Sequence, residues 1–508
     1  LIAALAEKGF DNTEAAVGAL AATGDARVIP ALEALAEGDL YTRDDDGSVV
    51  VTTKGSGRNY ILLDPLTGEE LGEVGRRDVG KIKVNNKLRR IIRAALGGLT
   101  LRNSDPEVRQ QAAEAIFKSQ DVGAIEALDA ALEAETDPDV ADVMRQARAA
   151  AVLQSDLEEA QKIAAVAVLA ERGGQDAVAV LSAIANGDEG ALSEAAQGAI
   201  DEINRTLAIW DAGQNIWYGL SLGSVLLLAA IGLAITFGVM GVINMAHGEM
   251  VMLGAYTTFV VQETIRTSAP GLFDYSLAIA IPLAFLVAGT VGLAIERGII
   301  RFLYGRPLET LLATWGLSLI LQQAVRTIFG PTNREVGNPE FMSGAFELGQ
   351  LTITYNRLWI IIFALIVFGL LLALMRGSSF GLQMRAVTQN RPMASAMGIR
   401  TPWVDALTFA LGSGIAGIAG VALSQIDNVS PNLGQSYIID SFMVVVFGGV
   451  GNLWGTLVGA MTLGVVNKFL EPYAGAVLGK VLVLVIIILF IQKRPRGLFA
   501  LTGRAVEA

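Results

Sequence analysis

Residues 212–246 read AGQNIWYGLSLGSVLLLAAIGLAITFGVMGVINMA, 35 positions without Asp, Glu, Lys or Arg. A membrane helix needs about 20 predominantly apolar residues, so this run is long enough to cross a bilayer with sequence to spare. The texture persists toward the C-terminus. Further apolar stretches centre on 249–262, 277–295, 308–329, 358–375, 403–425, 438–470 and 477–492, predicting about eight membrane segments. The 438–470 stretch is broken by glycines and reads as two half-helices or a re-entrant pair. Backbone exposed to lipid must satisfy its own hydrogen bonds, so the expected architecture is an all-α, polytopic helical bundle over residues 216–508.

The other side of that run is different in kind. Of the 508 residues, 1–215 hold 21 Lys/Arg and 37 Asp/Glu, net −16, whereas 216–508 hold 17 and 13, net +4. A polar acidic half is joined to an apolar one. The acidic half lacks the basic face that nucleic acid requires. Absence of cysteine excludes a disulfide scaffold, a thiolate zinc site and a thiol nucleophile, and a single histidine excludes a multi-histidine metal centre. The phosphate-loop pattern is missing; its nearest approach, Gly475 to Lys480, has the wrong spacing and is followed by Val481. No nucleotide chemistry, metal or cofactor is expected on this chain. It starts at Leu1 rather than Met, and removal of an export signal is the expectation.

Residues 1–38 and 104–205 are Ala-rich with apolar positions at helical spacing. Ser104-Asp105-Pro106 and Thr136-Asp137-Pro138 recur 32 residues apart. Pro suits the first helical turn and Asp complements the helix dipole, so residues 1–205 read as a mainly α, HEAT-like helical array. Within it, Ser48–Thr53 and Tyr60–Leu63 read as strands, with turns at Asp46-Gly47 and Thr67-Gly68. This predicts a small β insertion at about 41–75. Asp44-Asp45-Asp46-Gly47 lacks the spacing of a calcium loop and reads as a solvated turn. Residues 206–215 are taken as a linker.

Lys and Arg orient the bundle. One set of connections carries Arg297, Arg301, Arg306, Arg376, Arg385, Arg391, Arg400, Lys493, Arg494, Arg496 and Arg504. The opposite set carries Arg266, Arg334, Arg357, Lys468 and Lys480. The richer set is expected in the cytoplasm together with the C-terminus. Counting crossings back places the N-terminal domain outside, in a bacterial periplasm.

Three motifs stand out. Gly241-Val242-Ile243-Asn244-Met245-Ala246-His247-Gly248-Glu249 puts Asn244, His247 and Glu249 next to a span. Polar groups at membrane depth are costly unless they face a cavity or one another, so they read as a permeation lining, as a polar lock, or as an interfacial turn meeting water. Phe447-Gly448-Gly449-Val450-Gly451-Asn452-Leu453-Trp454-Gly455 reads either as close helix packing or as unwound backbone able to contact a polar solute. Gly377–Pro402 combines a short amphipathic helix with arginines, suiting either a docking segment or a loop that sets topology.

In their order along the chain these motifs, with Leu222-Gly223-Ser224, resemble the branched-chain amino-acid/urea permease family of bacterial ABC importers, over nearly all of 216–497. The long N-terminal extension and the ending Arg494-Pro495-Arg496-Gly497-Leu498-Phe499 resemble the urea permease subunit within it. The resemblance implies an inner-membrane transport subunit rather than an enzyme, with urea as cargo and branched-chain amino acids or short amides as alternatives; an ATP-independent channel is the rival. It implies a second related permease chain, two cytoplasmic ATPase subunits that carry the ATP, and a periplasmic solute-binding protein. The substrate path is expected at Asn244, His247, Glu249, Gly448, Gly449, Gly451 and Asn452. ATPase coupling is expected at Arg385, Ala386, Gln389, Asn390, Arg391, Ala394 and Gly398. Where the family often has an acidic residue in this stretch, the chain has Gln389-Asn390.

Overall fold

The computed structural model describes residues 1–499 apart from 8, 22, 24, 56–58, 188 and 189. Arg504, one of the orienting cations, lies outside the described residues. Two compact units divide between Ala208 and Ile209.

The first unit opens with α1 (Phe10–Ala21) and α2 (Ile29–Glu37), which share a core with α3 (Asn86–Thr100) through Val17, Leu20, Leu32, Leu35, Leu88 and Ile92. Between α2 and α3 lie β1 (Leu40–Arg43), β2 (Val49–Lys54), β3 (Asn59–Leu63), β4 (Glu70–Gly75) and β5 (Val79–Lys81). They form one antiparallel sheet in the order β4-β3-β2-β1-β5. The β insertion therefore runs past the expected 75. The three residues of β5 carry no alternation to read and become a strand by pairing with β1. In the turn after β1, Gly47 has φ 70°. Asp45 there pairs with Arg43 at 2.7 Å, and Asp46 accepts from the Ser48 N–H at 2.9 Å.

Next come α4 (Pro106–Ser119), α5 (Ile125–Leu132), α6 (Pro138–Leu153), α7 (Glu159–Arg172) and α8 (Gly174–Ala185). Asp105 and Asp137 cap α4 and α6, each accepting a backbone N–H two residues on at 3.0 Å, with Pro in the first turn. Their apolar faces close over Phe117, Leu128, Met144, Leu169 and Leu181.

The next helix, α9 (Ala191–Met240), is continuous for 50 residues. Residues 206–215, expected as a linker, are thus helical, and the division between the two units falls within them. They contain no proline and are helical on both sides, and extending a helix costs far less than nucleating one.

The second unit holds the remainder of α9, then α10 (His247–Ser268), α11 (Ser276–Gly298), α12 (Pro307–Phe329), a hairpin of β6 (Ala345–Leu348) with β7 (Leu351–Thr354), α13 (Tyr355–Gly377), α14 (Ser379–Gln389), α15 (Arg391–Ala396), α16 (Thr401–Leu423), α17 (Leu433–Gly448) and α18 (Leu453–Lys493). Among the described residues, five helical stretches are long and apolar enough to cross a membrane; they lie in α9, around α11, and in α13, α16 and α18. The other expected stretches fall on α10 and α12, which carry more polar residues, and on the 16-residue α17. The 438–470 stretch breaks at Gly449–Asn452, between α17 and α18. Gly475, at φ 72°, then divides α18 into two arms.

The bundle packs through backbone. A Cβ on Gly254 of α10 would overlap the Gly417 carbonyl of α16, and one on Gly420 would overlap the Val251 carbonyl. Only hydrogen fits between these helices.

Candidate solute path

Helix α9 stops at Met240, and Gly241 turns the chain with φ 68°. Residues 241–244 have no regular structure, a turn follows, and α10 starts at His247. His247 Nε2 lies 2.9 Å from the Ala229 carbonyl. Ala229 precedes the end of α9 by eleven residues, about 16 Å of helix. The segment therefore doubles back alongside α9, and α10 begins inside the protein. Asn244, His247 and Glu249 are all at most 1% exposed. An interfacial turn meeting water is overturned; the buried readings, a path lining or a polar lock, remain. Glycines make the room: a Cβ on Gly232 would press on the His247 ring, and one on Gly248 would overlap the Gly434 carbonyl of α17.

Each polar side chain is half used. Asn244 Oδ1 accepts from the Ala246 N–H at 3.0 Å, so Nδ2 faces the other way, and it has no partner among the described residues. His247 Nε2 faces a carbonyl and so carries the ring proton, leaving Nδ1 as an acceptor, also unpartnered. Glu249 Oε1 accepts from Ser318 Oγ at 2.8 Å and Gln322 Nε2 at 2.9 Å, while Oε2 is unpartnered. An unmet buried polar group costs about 1–3 kcal/mol. With Glu249 as a carboxylate, this site leaves one donor and two acceptors unmet.

The reading of the sequence missed the partners of this site on α12. Thr310, Thr314, Ser318 and Gln322 are buried and four residues apart. Thr314 Oγ1 takes the Met245 N–H at 3.1 Å. Polar residues recurring every four positions, at 310, 314, 318 and 322, were the available signal.

The glycine run sits elsewhere. Gly449 and Gly451 have φ 109° and 81°, so the backbone is unwound as expected. Several of its polar groups are occupied, however. Asn452 caps α18 through the Trp454 and Gly455 N–H groups, and the Phe447 and Gly448 carbonyls accept the Leu498 and Phe499 N–H groups at 2.9 and 3.1 Å. No hydrogen bond among the described residues joins this run to Asn244, His247 or Glu249.

The expected coupling stretch is two helices rather than one. Asn390 ends α14 and caps α15 by accepting the Met393 N–H at 3.0 Å. Gln389 is exposed and Ala386 half-buried; Ala394 is buried, and Gly398 has φ 90°. Arg385 bonds the Met375 carbonyl. Arg391 points back into its own chain, pairing with Asp405 of α16 and stacking on Tyr304 at 5.0 Å. Tyr304 Oη donates to Glu296 at 2.9 Å, and Arg297 lies 4.4 Å from the Trp403 ring centre. Leu382, Met393 and Met397 are left 61%, 60% and 75% exposed.

The sequence profile described as "Branched-chain amino acid transport system / permease component" matches residues 215–491, more than half of the chain. The chain belongs to this permease family. It is a transport component and not an enzyme. The match covers the second unit almost entirely and leaves the first outside it. The permease is 31% identical over 293 residues to the high-affinity branched-chain amino acid transport permease BraD of Pseudomonas aeruginosa, covering 56% of this chain and 94% of the relative. LivH of Escherichia coli, a permease of the same description, is 30% identical over 294 residues, with the same coverage. A probable LivH of Methanocaldococcus jannaschii is 27% identical over 295 residues, 54% of this chain and 88% of the relative. No solved structure matches the permease.

Proposed function

We propose that the chain is a membrane-spanning subunit of a bacterial ATP-driven importer for urea or a similarly small primary amide. The observation that carries this reading is the buried break between α9 and α10, with the Asn244 donor and the His247 and Glu249 acceptors unmet. A primary amide offers the complement, one carbonyl acceptor and N–H donors. Urea is also uncharged, which suits a region where a charge is expensive. The extension before residue 215 and the Arg494–Phe499 ending add support through their resemblance to the urea subunit. A branched-chain amino acid is the second reading, favoured by what BraD and LivH are named for.

In this reading a second related permease chain completes the membrane portion, two cytoplasmic ATPases drive it, and a periplasmic binding protein delivers the solute. The exposed Leu382, Met393 and Met397 form an apolar contact for the ATPase. Arg391 acts from inside, fixing α15 to α16. The N-terminal unit lies in the periplasm as a HEAT-like array and offers the delivering protein a surface. ATP shifts the balance between inward- and outward-open states only by binding one of them better.

Uptake of labelled urea by cells carrying His247→Ala or Gln322→Ala tests the path. Each variant should insert normally and lose about tenfold in uptake, the equivalent of one buried hydrogen bond. Wild-type uptake by both would remove the site from the path. Retained urea uptake with the ATPase genes deleted would favour a channel. Leucine uptake in place of urea uptake would favour the second reading.

A further inference from the structure

Two cavities adjoin where α13 begins and α16 ends. One, of about 240 Å³, is lined by apolar side chains including Leu277, Ile281, Trp359, Phe363 and Met342. The other, of about 300 Å³, is polar, with Asn356, Arg357, Asp427 and Asn428 in its wall. Gln425 lines both. It is 5% exposed, its Nε2 donates to Ser424 Oγ at 3.2 Å, and its Oε1 is buried without a partner among the described residues. The Arg357 guanidinium lies 4.7 Å from the centre of the Tyr218 ring and makes no hydrogen bond among the described residues. Neither Arg357 nor Asp427 forms an ion pair among the described residues. The surrounding faces of α11 and α13 are apolar and open, with Leu283 41% and Ile362 39% exposed.

We propose that this double cavity binds one amphiphile with a zwitterionic, primary-amine head, namely a phosphatidylethanolamine-type lipid. The acyl chain enters the apolar cavity, which opens among helix faces suited to hydrocarbon. The phosphate meets Arg357, a donor fork suited to phosphate oxygens. The amine donates to Asp427 and to Gln425 Oε1, which removes the one unmet buried acceptor at the junction. One cation and one anion make the wall neutral, which matches a zwitterion better than an anionic lipid. Trp359, beside the junction, is the residue type that anchors at the headgroup level.

The test uses the full-length chain, purified in detergent and stripped of lipid, with native mass spectrometry and thermal shift as readouts. Dioleoyl phosphatidylethanolamine should give a retained one-to-one adduct and a raised melting temperature. Dioleoyl phosphatidylglycerol should bind more weakly, and free leucine, which shares the zwitterionic head and an apolar tail, should give no shift. Arg357→Gln, at the rim, should weaken the lipid by about tenfold, the loss of one charge-assisted hydrogen bond. Ala278→Trp, which fills the apolar cavity from an exposed wall position, should abolish the adduct. Asp427→Asn should erase the preference over phosphatidylglycerol. Unaltered lipid binding in both Arg357→Gln and Ala278→Trp would overturn the site. Equal binding of phosphatidylglycerol to the unaltered chain would overturn the zwitterionic pairing. A leucine shift that depends on Arg357 would overturn the lipid as occupant.

Discussion

The two units solve the problem of close packing in opposite ways. In the N-terminal unit, helices stand apart on Ala, Leu, Val and Met side chains, and their ends are closed locally by Asp105 and Asp137. In the membrane unit, helices meet backbone to backbone at Gly232, Gly254, Gly417 and Gly420, and polar side chains are buried at the contacts. Water drives the first arrangement by expelling apolar surface. Lipid supplies no such drive between apolar helices, so close van der Waals fit and hydrogen bonds must do the work. One consequence is functional. Helix α10 begins inside the protein because Gly232 and Gly248 leave room for its first turn against α9 and α17, and a broken helix exposes polar groups that a continuous one hides.

Glycine substitution breaks the comparison most sharply. Gly254→Leu drives a side chain into the Gly417 backbone, which cannot yield as a flexible side chain would. Overpacking of an ordinary core costs about 1–3 kcal/mol, and a backbone obstacle should push the loss beyond that range. The expected outcome is no monodisperse protein in detergent. Gly198→Leu, on an exposed turn of α9 with nothing within 4 Å of the new Cβ, should leave stability unchanged or raise it by up to about 1 kcal/mol through helix propensity. Gly254→Leu protein as stable as Gly198→Leu would mean that the membrane unit has slack to absorb the leucine.

The buried ion pair is the next test. Asp405 is fully buried, and Arg391, 40% exposed, is its described ion-pair partner. Arg391→Ala leaves a carboxylate stranded. Removing one member of a wholly buried pair costs about 3–5 kcal/mol; with one partner half in solvent, about 2 kcal/mol is the fitting expectation, read as melting of the membrane unit. Adding Asp405→Asn should recover most of the loss. A double variant no more stable than Arg391→Ala would show that the charge of Asp405 is not what Arg391 balances.

These contrasts also explain how far the sequence could be read. The apolar runs, the Asp-Pro helix starts and the break at Gly449–Asn452 are local signals, carried by residues within a turn or two of one another. Asn244, His247 and Glu249 stood out because polar residues are expensive in apolar sequence. Their partners did not. Ser318 and Gln322 lie 69 and 73 positions from Glu249, and only packing brings α10 to α12. Arg391 looked like a contact for another chain because Asp405, inside an apolar span, gave no sign of facing it. The helix through 206–215 was hidden because a short mixed segment reads equally well as a linker until both flanking helices are known.

The smallest effect expected belongs to the N-terminal unit, where an Arg–carboxylate pair is also held by backbone donors. Arg109 holds Glu135 bidentately, at 2.7 and 2.8 Å, and the Thr136 and Asp137 N–H groups donate to the same carboxylate. The Arg109 guanidinium, then the two backbone donors, keep this carboxyl below the usual glutamate value of 4.5 although burial opposes them. The unfolded chain therefore takes up this proton at a higher pH than the folded one. The pair's stabilisation is complete above the ordinary glutamate value and is lost as pH falls through the lowered, folded one. Calorimetry of the full chain should show the N-terminal transition dropping by a few degrees below about pH 4.5, with Glu135→Gln starting lower and falling less steeply over that interval. All six tryptophans lie at or beyond Trp210, so intrinsic tryptophan emission should follow the membrane unit alone and miss this transition. An equal acid response in wild type and Glu135→Gln would assign the acid sensitivity to other carboxylates and leave Arg109–Glu135 a solvent-screened pair.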